Sequence, residues 1–119
     1  MIPTPMALYL NQQLYGQILS YGYETPWASG LFEAADPRAG LRLIQICTFY
    51  TDLEDWPDLD CPAAEDQRWE NTLIEYGLTQ ADLDFYNTAT WLIQAADLQE
   101  YTLPAPPVFD AQGFMTWRW

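Results

Sequence analysis

The stretch Asp36-Pro37-Arg38-Ala39-Gly40-Leu41-Arg42-Leu43-Ile44-Gln45-Ile46-Cys47-Thr48-Phe49-Tyr50 decides how the rest of the chain is read. Its first five residues form a turn sequence, with Asp leading, Pro presetting φ and Gly closing. Leu41 to Tyr50 then reads as the clearest strand. Leu41, Leu43, Cys47 and Phe49 lie on one face, with Ile44, Ile46 and Tyr50 on the other. Apolar residues on both faces predict a central strand, covered on both sides or left with one side for an interface.

Upstream, the pattern is that of a β-meander. Met6 to Leu10 is a short apolar strand, Asn11-Gln12 a turn, and Leu14 to Tyr23 a second strand in which Leu14, Gly16 and Ile18 alternate with Tyr15, Gln17 and Leu19. The rival reading is a helix started by Thr4 and Pro5, with Ala7, Leu10, Leu14, Ile18 and Tyr21 as its stripe. Gly16, Gly22 and the density of tyrosine favour strands. Glu24-Thr25-Pro26 breaks the run, and Trp27 to Ala35 is the next strand.

Downstream, Thr51 to Cys61 is an acidic loop. Pro62 then opens a helix and Gly77 closes it, with Trp69, Leu73 and Tyr76 at i, i+4 and i+7 and Ile74 alongside. A short second helix starts at Thr79, where Asp82 supplies the capping-box acid and Leu78 with Leu83 a hydrophobic staple. Thr88 to Gln94 and Glu100 to Leu103 form a hairpin. Pro104, Pro106 and Pro107 make a stiff connector, and Asp110 to Gly113 turns into a last strand, Phe114 to Trp119. The predicted fold is α+β: an antiparallel β-meander and C-terminal strands packed against one main amphipathic helix and a short second one. At 119 residues it fits one domain, residues 1–119. Hydrophobic content of 50% and aromatic content of 16% set it apart from a disordered acidic segment.

The charge is one-sided. Asp52, Glu54, Asp55, Asp58, Asp60, Glu65, Asp66, Glu70, Glu75, Asp82 and Asp84 share their stretch with a single cation, Arg68. That stretch therefore carries −10 of the chain's −13, while residues 1–23 hold no acid. Adaptation to high salt would spread carboxylates over the whole surface. Such a field opposes nucleic acid and anionic membranes and favours a basic protein partner. No signal-peptide pattern or membrane span is read, and with only Cys47 and Cys61 the chain suits a cytoplasmic setting with reduced thiols.

The missing residue types exclude much familiar chemistry. There is no histidine, hence no imidazole base or ligand, and no lysine, hence no Schiff base or phosphate-loop cation. Arg38, Arg42, Arg68 and Arg118 are too few for a nucleic-acid groove. No catalytic residue, cofactor or metal ion is predicted. The expected partner-binding residues are Asp52, Glu54, Asp55, Asp58 and Asp60 on the loop and Asp66 and Glu70 on the helix, with Trp56 as apolar anchor. Like charges four residues apart repel when nothing internal neutralises them, which is the physical reason to expect a basic partner.

This reading is a non-enzymatic acidic interaction module, of the inhibitor, immunity-type or nucleic-acid-mimic kind. Two alternatives stand beside it. The Asp52/Glu54 and Asp58/Asp60 pairs suit a carboxylate- or divalent-metal-dependent hydrolase, although the loop lacks the glycine and closing glutamate of an EF-hand. A homo-oligomer with an incidental acidic surface is the other, with Trp117 and Trp119 on an edge strand as its homodimer interface.

Overall fold

The computed structural model describes residues 3–57 and 61–119. Its strands are β1 (Met6–Leu10), β2 (Gln13–Ile18), β3 (Gly22–Glu24), β4 (Trp27–Ala34), β5 (Trp91–Gln94), β6 (Glu100–Thr102), β7 (Val108–Phe109) and β8 (Phe114–Arg118). The helices are α1 (Pro37–Leu53), α2 (Pro62–Glu75) and α3 (Gln80–Thr88). The fold is α+β, as the sequence predicts.

The strands make one curled antiparallel sheet in the order β6-β5-β1-β2-β4-β8-β7, with β3 also on β4. Asn11 and Gln12 have φ of 48° and 70°, as a two-residue hairpin between β1 and β2 requires. The helix alternative for this segment is thereby overturned. The long second strand is not continuous. β2 and β3 both pair with β4, and between them the chain kinks so that Ser20's carbonyl presses on Gly30. The kink is fastened by the Leu31 amide, which donates to Ser20 Oγ at 2.9 Å. A glycine at position 30 is what permits this approach.

The main correction falls on residues 41–50. They are not a strand but the body of α1, a helix of 17 residues. Asp36 is its N-cap, accepting from the Arg38 amide at 3.0 Å, and Pro37 takes the first helical turn. Asp-Pro is thus a helix start rather than a turn between strands. The buried residues Leu43, Ile46, Cys47 and Phe49 follow three- and four-residue spacing. They meet the inner sheet residues Met6, Leu8, Leu10, Ile18, Ile93, Met115 and Trp117 in one core.

The other helices form as read. Pro62 begins α2, and Thr79 and Asp82 close a capping box on α3. Leu78 and Leu83 are both buried. β7, a two-residue strand directly after the proline run, is an addition the sequence reading did not contain. β8 lies between β4 and β7 at Met115 and Thr116, while Trp117 and Arg118 pair with β4 alone. Trp117 is 1% exposed and belongs to the core. Trp119 is half-buried, donates to Tyr21 Oη at 2.8 Å and lies tilted against the Tyr101 ring at a centroid separation of 5.1 Å. The Trp117 ring therefore packs inside the core, whereas Trp119 keeps part of its surface exposed.

Candidate functional site

The C-terminal end of α1 and the start of α2 meet over Phe49. Its ring is fully buried and makes edge contacts with Trp56, Trp69 and Tyr76 at centroid separations of 6.3, 5.0 and 5.8 Å. This aromatic hub fixes the angle between the two helices and so decides where their acids point.

Asp52 accepts a hydrogen bond from Tyr76 Oη, which ties the last turn of α1 to the end of α2. Glu54 and Asp55 follow in an exposed turn continuing the helix. All three acids thus sit at the negative end of the α1 dipole, where carboxylates are unfavourable, and α1 has no basic residue in its last turn. Trp56 is half-buried. Arg68 lies 4.3 Å over its ring and donates to the Pro57 carbonyl at 2.8 Å. The cation of this stretch therefore clamps the loop onto α2.

On α2, Asp66, Glu70 and Ile74 occupy successive i, i+4 positions and form a single stripe. All three are exposed, and Ile74 is 76% exposed. Ile74, read from the sequence as running alongside the apolar stripe, faces solvent among acids instead. Only Leu73 of α2 is buried. Among the described residues, Glu54, Asp55, Asp66 and Glu70 make no ion pair.

Asp82 behaves differently. Burial works to raise its pKa, but hydrogen bonds from Thr79 and Arg42 and the charge of Arg42 outweigh it and hold the carboxyl below its ordinary range. Arg42 Nη1 donates to both Asp82 oxygens, at 3.0 and 3.1 Å. Asp82 is thereby a structural acid joining α1 to α3.

The structure brings Asp52 and Trp56 against α2, leaves Glu54 and Asp55 exposed at the end of α1, and puts Asp66 and Glu70 on the exposed surface of α2. Asp58 and Asp60 lie outside the described residues. The sequence reading missed Ile74 as an exposed apolar group, and it missed Arg68 as the clamp on Trp56. No local signal announces an arginine stacked on a ring twelve positions away. The exposure of Ile74 was open to a stricter helical wheel, since it lies on the Asp66–Glu70 side.

No group of three or more Cys, Asp or Glu residues suited to holding a metal occurs among the described residues. Five concavities are lined respectively by Asp110, Glu100, Asp36, Asp82 and Glu24, one carboxylate in each. Paired-acid hydrolysis needs two carboxyls across one cleft, about 5–9.5 Å apart. No known protein family matches this chain, and no curated protein or solved structure is significantly similar to it. No helix among the described residues is long and apolar enough to cross a membrane.

Proposed function

We propose that this chain is a non-enzymatic acidic interaction module that docks on a basic protein surface and blocks it, as an inhibitor, an immunity-type protein or a mimic of a nucleic-acid backbone does. The observation carrying this reading is the pairing of exposed acids with an exposed apolar residue on a rigid support. Asp66 and Glu70 align with Ile74 on α2, and Glu54 and Asp55 add two further exposed acids just past the end of α1. Interfaces take their affinity from such a desolvated apolar anchor and their on-rate and specificity from the charges around it.

Two physical costs support the same reading. Carboxylates at the C-terminal end of α1 oppose its dipole, and the α2 acids repel one another at i, i+4. A cationic partner removes both. The anchor role moves from Trp56, which is half-buried under Arg68, to Ile74.

The test is capture from host lysate on immobilised protein at low salt. The expected result is retention of a basic protein that is released at about 0.5 M salt, where the screening length is only a few ångströms. If nothing basic is retained, or if the retained protein resists that salt, the proposal fails.

A further inference from the structure

The helices pack on one side of the sheet, through contacts of α1 with β4, β7 and α3. The opposite side of β3, β4 and β8 is bare. Strand alternation turns Ala28, Met115 and Trp117 inward, all of them buried, and turns Trp27, Leu31, Phe114 and Val108 outward. The four outward residues are 51%, 39%, 43% and 48% exposed. This is an apolar face on a chain whose polar surface is otherwise dominated by carboxylates.

The register arranges the face in rows that cross the strands. Glu24, Trp27 and Arg118 form the first row, and Gly22, Ser29 and Thr116 the second. In the third, Leu31 pairs with Phe114 on one side, while Leu19 donates its N–H to the Leu31 carbonyl at 2.8 Å on the other. Leu19 is 41% exposed. β4 is the middle of every row.

Glu24 and Arg118 stand on either side of Trp27, two strand spacings or about 10 Å apart, beyond reach of a direct ion pair. Arg118 makes no ion pair among the described residues, although it is one of only four cations in a chain with 17 acids. The row is thus a minus, an indole and a plus, neutral in sum and unsatisfied at both ends.

We propose that this face binds a second copy of the chain about a two-fold axis that runs along β4 between the two sheets. Such an axis reverses each row against itself. Arg118 of each copy meets Glu24 of the other, the two Trp27 rings meet at the centre, and Phe114 meets Leu19. An isologous contact requires this self-complementarity, and few surface patches possess it. Aligned sheet-on-sheet packing accommodates the remaining twist. The acidic helices lie behind the sheets, away from the contact, so charge repulsion between copies is screened there. The interface leaves the α2 face of both copies open, and it stands or falls independently of the function proposed above.

Sedimentation equilibrium of the full chain tests it, with wild type beside Glu24→Arg, Arg118→Glu and the double reversal. All substituted groups are exposed, and far-UV circular dichroism confirms that each variant folds. Wild type is expected to dimerise. Each single reversal weakens the dimer roughly tenfold, because it breaks two symmetric pairs and creates two repulsions, and the double reversal returns the affinity to within about threefold. Trp27→Ala, which leaves both charges in place, also weakens it by about tenfold or more. A wild type that remains monomeric up to about 1 mM, the weak end of specific affinity, overturns the proposal. So does a dimer indifferent to the single reversals, or a double reversal no tighter than either single one.

Discussion

Tyr86 on α3 donates its hydroxyl to the Pro107 carbonyl at 2.6 Å and accepts from Cys47 Sγ on α1 at 3.7 Å. The same sulfur accepts the Phe109 amide of β7 at 3.3 Å. Two helices and the proline-rich connector are therefore joined by a polar contact inside the core. Burial pushes the Tyr86 hydroxyl well above its ordinary range, with the neighbouring Cys47 adding to the effect. Burial likewise raises the Cys47 thiol, against the opposing pull of the Phe109 amide and Tyr86. Tyr86→Phe strands the Pro107 carbonyl and is expected to cost about 1–3 kcal/mol, read from urea denaturation. In the folded protein a thiol reagent at mild alkaline pH should modify exposed Cys61 and reach buried Cys47 only on unfolding. Equal labelling of both cysteines would contradict this packing.

Gly30 is a packing requirement rather than a flexible point. A Cβ there would overlap the Ser20 carbonyl and come within 2.7 Å of Ile18 Cγ2. Gly30→Ala should destabilise by about 2–3 kcal/mol through forced displacement of the kink between β2 and β3. A denaturation midpoint unchanged from wild type would mean that the kink is not where the structure has it.

Asp82 gives a pH signature. Its folded pKa is depressed, so its contribution is complete above the unfolded value near 3.9 and is lost as pH falls through the lower folded value. Asp82→Asn should lower stability by roughly 0.5–1 kcal/mol at neutral pH, chiefly through the weakened capping box, since Arg42 is half exposed and its ion pair is worth little. The gap between the two melting curves should narrow as pH falls below the unfolded value and the wild-type carboxyl is itself protonated. A gap that persists undiminished to pH 2 would rule out this linkage.

Ile74 separates stability from binding. Because it is 76% exposed, Ile74→Gln should leave stability within about 0.5 kcal/mol of wild type. The same change should weaken partner binding about tenfold or more, as loss of an interface anchor does. Thermal melts and a binding isotherm on the two proteins supply both readings. Unaltered affinity would remove Ile74 from the interface.

How much of this was legible depended on whether a signal was local. The hairpin at Asn11-Gln12, the Pro62 helix and the Thr79–Asp82 cap were readable because each is decided by a few adjacent residues. Leu41 to Tyr50 was misread because its apolar positions satisfy both periods: Leu41, Leu43, Cys47 and Phe49 fit alternation, while Leu43, Ile46, Cys47 and Tyr50 fit a helix. The deciding signal is Asp36-Pro37, an N-cap followed by a proline with nothing to donate, which also fits the opening of a turn. β7 is two residues long and is held by pairing with β8, so no local pattern marks it. The acids of the site were visible as composition. Their division into structural Asp82, tethered Asp52 and exposed Glu54, Asp55, Asp66 and Glu70 depends on tertiary contacts that no spacing encodes.

Under the proposed function, the position of these acids, and not merely their number, recruits a basic partner. The direct measurement compares two triple variants of equal net charge, −10 against −13 for wild type. One carries Asp55→Asn, Asp66→Asn and Glu70→Gln; the other carries Glu33→Gln, Asp97→Asn and Glu100→Gln, away from α2. Affinity for the captured basic protein is measured for both at low salt. A loss of roughly tenfold or more is expected for the first and of less than about threefold for the second. Equal losses would reduce the acidic face to bulk charge, and a first variant that binds like wild type would remove that face from the interface.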